Sequence, residues 1–153
     1  MGKTCFFIGH HDAPPAIREL LDVAVERHIT EYGVTRFIVG HYGAFDSMAA
    51  AAVIHAKMKY EGVELLLLLP YHPTERPIQP EKGFDATFYP EGMEKVPRRY
   101  AILRANEYVI RHICDYLIAY DRFLATKTHD FVEIARKRAA KDGLHIENLA
   151  DLL

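Results

Sequence analysis

The sequence predicts an α/β fold: a single-domain, Rossmann-like three-layer sandwich on a mainly parallel sheet of about five strands. Three observations predict it. Short apolar runs recur as continuous stretches rather than alternating ones, as expected for strands covered on both faces. Segments with apolar residues at helical spacing fall between them. Glycine or proline stands at most of the changeovers. Such alternation implies right-handed crossovers, and the expected strand order is 3-2-1-4-5. With 153 residues, no linker and no internal repeat, residues 1–153 are expected to form one domain.

The first strand is Lys3–Ile8, in which Cys5 to Ile8 are all apolar. The first helix starts after Pro14 and Pro15 and stops at Gly33, residues suited to those two ends. Ile17, Leu20, Leu21, Ala24, Val25, His28, Ile29 and Tyr32 form one of its faces. Val34–Val39 is the second strand. The second helix runs from about Asp46, read as its N-cap, to Tyr60 and ends at Gly62. Val63–Leu69 is the third strand. Pro70 to Pro97 then breaks the alternation with six prolines, and a long ordered loop of this kind often carries function. A third helix covers Arg98 to Ile113, the fourth strand is Tyr116–Tyr120, and a fourth helix covers Thr128 to Lys141 before Gly143. The more polar fifth strand, Leu144–Leu149, belongs at an edge.

Composition narrows the function classes. A net charge of −2 gives no broad basic field, so nonspecific nucleic-acid binding is not expected. Apolar runs such as Leu65 to Leu69 are far too short to span a membrane, and no signal-peptide pattern opens the chain. Cys5 and Cys114 make neither a disulfide framework nor a zinc set, so a cytoplasmic location with reduced thiols is expected.

In an open parallel sheet, ligands bind outside the carboxyl ends of the strands. The first strand exits at Gly9-His10-His11-Asp12 and the second at Gly40-His41-Tyr42-Gly43-Ala44-Phe45-Asp46. The third exits at Pro70-Tyr71-His72-Pro73 and the fourth at Asp121-Arg122. Gly9, Gly40 and Gly43 would let backbone approach a ligand, with His10 and His11 facing it. The second exit leads into a helix N-terminus, which favours an anion.

These stretches also carry a resemblance. "TCFFIGHH", "VGHYGAFD", "LLPYHP", "FYPEGMEKVPRRYAI", "RAN" and "CDYLIAY" occur in an order and spacing that resemble the YpsA-like group of the SLOG superfamily, related to the DprA and LOG proteins. The resemblance covers residues 3–149. It implies a Rossmann-like SLOG fold, a nucleotide or nucleotide-derived ligand, and homo-oligomers. Two departures stand out. The group's usual Arg after Gly-His is His11 here, which removes a permanent charge. Where many SLOG proteins have a Gly-Gly phosphate loop, this chain has "DRFLATKTHDF". The glutamate signature of LOG-type phosphoribohydrolases is absent, so that activity is not transferred.

The expected ligand-binding residues are therefore Gly9, His10, His11, Gly40, His41, Tyr42, Gly43, Phe45 and Asp46, with Arg104 and Asn106 from the third helix. His10, His41 and His72 would have to converge to hold a metal; no metal and no cofactor is expected. The favoured function is binding or sensing of a nucleotide-derived molecule. The alternatives are a hydrolase or transferase acting on an N-glycosidic or phosphate bond, and an interaction protein with a degenerate ligand site. A homodimer is expected from the resemblance and from the small-residue face at Ala49–Ala52.

Overall fold

A computed structural model describes residues 2–153. The elements are β1 (Lys3–Gly9), α1 (Ile17–Thr30), β2 (Val34–Val39), α2 (Ala44–Lys57), β3 (Glu64–Leu68), β4 (Ala86–Phe88), α3 (Ala101–Tyr108), β5 (Tyr116–Tyr120), α4 (Lys127–Asp142) and β6 (His145–Asn148). The strands form one all-parallel sheet in the order β4-β3-β2-β1-β5-β6. The expected α/β sandwich and its strand order are present, with one correction: the sheet has six strands, not five. The extra edge strand, β4, lies inside the proline-rich stretch. Its three residues pair with Leu66–Leu68 of β3. The carboxylate of Asp85, just before it, accepts the Leu65 N–H at 2.8 Å and pairs with Lys57 Nζ at 2.5 Å.

Two apolar layers cover the sheet. On one face α1 and α2 pack over Phe7, Phe37, Val39 and Ile118. On the other, α3 and α4 pack over Phe6, Ile38, Leu117 and Ala119. The central strands are buried on both faces, which is why they read as unbroken apolar runs. The helical periodicity of α1 is equally direct: Ile17, Leu21, Ala24, Val25 and His28 are its buried face. Ala49 and Ala52 are buried within this same core. The small-residue face that motivated a dimer is therefore used inside the protomer.

Two helix boundaries differ from expectation. α2 begins at Ala44, with Gly43 as N-cap, so Asp46 sits in the first turn and is not the cap. A φ of +122° at Gly43 is open to glycine and strained for other residues, and it turns the chain into the helix two residues early. The expected Arg98–Ile113 helix is three pieces: a 3₁₀ turn at Arg98–Tyr100, α3, and a π-helical turn at Val109–Ile113. No described helix is long and apolar enough to cross a membrane.

Candidate functional site

The first strand carries buried apolar residues to its end, and the chain then opens into a cavity of about 460 Å³ at the carboxyl edge of the sheet. The cavity is lined from several elements, among them the β3 exit at Leu68 and Pro70. Gly9 to Asp12 come from the β1 exit, Gly40, Tyr42 and Asp46 from the β2 exit, Ile102, Ala105 and Asn106 from α3, and Phe123 and Thr126 to Thr128 from the start of α4. β1 and β5 are neighbours, and the chain leaves β1 toward β2 and β5 toward β6, so the connections diverge between them. This is the switch point at which open α/β sheets hold ligands.

The β1 and β2 exits brace each other. Ala44 N–H, at the start of α2, donates to the His11 carbonyl at 2.7 Å. A Cβ on Gly43 would lie 2.5 Å from His11 Cα. Gly43 therefore serves this close contact between loops and is not on the cavity wall. Gly9 is likewise explained by packing: a Cβ there would lie 2.2 Å from the ring of Phe45. Phe45 is wholly buried beneath the site, stacked against Tyr120 and edge-on to Phe7.

Asp46 is the central polar group. Its Oδ2 accepts the Tyr42 N–H at 3.1 Å. Burial raises its carboxyl to about 6, against the opposing pull of that hydrogen bond. The carboxylate also stands on the wall of a second cavity of about 230 Å³, between α2 and residues 78–84, where His41 lies. Thus the N-terminus of α2, expected to hold an anion, already faces a carboxylate of its own chain.

The start of α4 has the opposite character. Thr126 caps it, its Oγ1 accepting the His129 N–H at 3.2 Å and donating to the Phe123 carbonyl at 2.7 Å. The N–H groups of Lys127 and Thr128 have no acceptor within the helix. Both residues line the cavity, and among the described residues Lys127 is its one permanent cation. Asp12 and Asp46 are its carboxylates. Neither Phe123 nor Thr126 to Thr128 is among the residues expected at the site, because in sequence the stretch from Asp121 to Phe131 shows only the loss of a Gly-Gly phosphate loop. Thr126 before a helical segment was the signal that could have found this wall.

His10 is 5% exposed. Its Nε2 accepts the Arg122 N–H at 2.9 Å and the Phe123 N–H at 3.4 Å. That geometry assigns the ring proton to Nδ1. Burial holds the His10 pKa below the usual imidazole value, although Asp121 and Asp12 pull the other way. His11 is exposed on the rim.

Of the expected residues, Gly9, His10, His11, Gly40, Tyr42, Asp46 and Asn106 meet at the cavity. Phe45 and Gly43 support it from behind, His41 lines the second cavity, and exposed Arg104 lines neither. His72 bonds within its own loop, its Nδ1 accepting the Thr74 N–H at 3.1 Å. Among the described residues, no three His, Cys, Asp or Glu side chains are grouped to hold a metal. No protein-family model matches the chain, and no curated protein does.

Proposed function

We propose that the cavity binds a nucleotide or nucleotide-derived small molecule, with the anionic end at the start of α4 and sugar or base donors at Asp46. One observation carries the reading: the cavity lies at the carboxyl edge beside β1, between a carboxylate on one wall and the uncapped N–H groups of a 16-residue helix on the other. The ordered motifs similar to the YpsA-like SLOG group support the same ligand class. The charge inventory refines it. One lysine against two aspartates suits a ligand with a single phosphate better than a di- or triphosphate.

A second reading is an enzyme that cleaves an N-glycosidic or phosphate bond in that ligand. Asp46 favours it, because a carboxyl titrating at about 6 can give or take a proton near neutrality. A thermal-shift screen of nucleosides and nucleotides tests binding, since a ligand at a hundred times its Kd adds about 2.7 kcal/mol of stability. Product analysis of any hit then separates binding from turnover. A screen without a shift favours an interaction protein that keeps the fold alone.

A further inference from the structure

We propose that His10 is the positioning residue of this site, a pH-responsive latch whose neutral ring holds in place the segment from Arg122 to Thr128, which carries one wall of the cavity. The ring lies on the β1 side and the wall follows β5, so the contact joins residues 112 and 113 positions apart. One unprotonated nitrogen, Nε2, accepts both backbone N–H groups. Phe123 also packs its ring 5.2 Å from the imidazole. The link continues from the Phe123 carbonyl to Thr126 Oγ1 and from there to the His129 N–H, into the first turn of α4. Lys127 and Thr128, on that turn, line the cavity.

Protonation inverts the contact. Nε2 becomes a donor facing two donors, and both hydrogen bonds are lost. The groups around the ring decide how readily this happens. Asp121, at the β5 exit, and Asp12, on the ring's own loop, favour the imidazolium; His11, on that same loop, opposes it. The Arg122 guanidinium, on the latched segment, is exposed and lies over the Phe123 ring at 5.9 Å. Asp121 also pairs with His129 at 2.8 Å, which divides its attraction between two rings. Tyr120 presents its ring edge-on at 5.4 Å. Burial is the largest influence on His10 and keeps the ring neutral to a lower pH than an exposed histidine. Release therefore belongs to acidic pH, below the ordinary imidazole value of about 6.5.

The consequence for ligand rests on the binding reading above, but the latch itself is tested on the ligand-free protein, so the two fail separately. Amide hydrogen exchange is followed at pH 7.5 and pH 5, each rate referred to the intrinsic rate at that pH. In the parent, the Arg122 and Phe123 amides should be protected at pH 7.5 and lose roughly tenfold or more of that protection at pH 5, the order expected for losing two hydrogen bonds. His10→Leu should lose it at both values. His10→Gln keeps an acceptor that does not titrate, and should protect both amides at both values. Core amides of β1 and β5 are the internal control for folding. Equal protection of Arg122 and Phe123 in the parent and a folded His10→Leu overturns the latch. So does a pH 5 loss that persists in His10→Gln, which remains decisive even when His10→Leu does not fold.

Discussion

The ring of Phe45 fills the space that a side chain at Gly9 would need. A Cβ at position 9 would stand 2.2 Å from Phe45 Cγ, and Phe45 is fully buried with Tyr120 and Phe7 around it. Neither residue can give without disturbing the sheet edge that carries the cavity. Gly9→Ala is expected to destabilise by about 1–3 kcal/mol, the usual range for overpacking a core. Adding Phe45→Leu should recover part of the loss, because the two sites share one space. Urea unfolding of both variants measures this. A Gly9→Ala midpoint equal to the parent's would contradict the packing account.

His28 should make the fold acid-sensitive. It is wholly buried on α1, its Nδ1 bonded to the Ala24 carbonyl at 2.7 Å, and its Nε2 has no partner among the described residues. Tyr32 and Tyr116 present ring faces and edges to it. Burial lowers its pKa in the folded chain, outweighing the Ala24 hydrogen bond and nearby Glu147. The unfolded chain therefore takes the proton first as pH falls. The stability from neutral His28 is complete above about 6.5 and is lost as pH drops below that value through the lower folded pKa. Denaturant midpoints between pH 7.5 and 5 should fall for the parent and fall less for His28→Leu. Identical pH slopes would remove His28 from this role.

Asp46 should act in the opposite direction. Its folded carboxyl is raised to about 6, so the folded state prefers the neutral form. This contribution is fully present below about 3.9 and is lost as pH rises through about 6. Asp46→Asn keeps an acceptor for the Tyr42 N–H and removes the buried charge. It is expected to stabilise the protein at pH 8 by about 1–3 kcal/mol, reduced by the water that reaches the cavity. It should also weaken binding of any ligand that donates to the carboxylate. Calorimetric melting at pH 8 and pH 4 checks the first part: a gain at pH 8 that is absent at pH 4 fits, and an equal change at both does not.

Much of the fold was legible because burial leaves a pattern. Cys5 to Ile8 and Leu65 to Leu69 are covered on both faces, and their unbroken apolarity says so. β4 left no such trace: three residues show no period, and Ala86 and Thr87 are exposed. The site was legible in position but not in roles. Strand exits located Gly9, His10, Gly40 and Asp46 at one edge. The packing role of Gly9 has no mark in the sequence, because its neighbour Phe45 is 36 residues away on another element. The bracing role of His10 is equally silent, because its partners, the N–H groups of Arg122 and Phe123, belong to backbone, which has no sequence signature.

The proposed binding mode puts an anionic ligand between Asp46 and the start of α4, beside Lys127. Titration calorimetry at pH 7.5 with matched nucleosides and 5′-monophosphates tests it most directly, using the parent, Lys127→Met and Asp46→Asn. Saturable one-site binding of at least one monophosphate is expected. Lys127→Met should weaken it roughly tenfold, the order of one charge-assisted hydrogen bond, while leaving the matched nucleoside unchanged. Asp46→Asn should weaken both. No heat from any nucleoside or monophosphate at millimolar concentration, or parent-like binding by both variants, would contradict the claim.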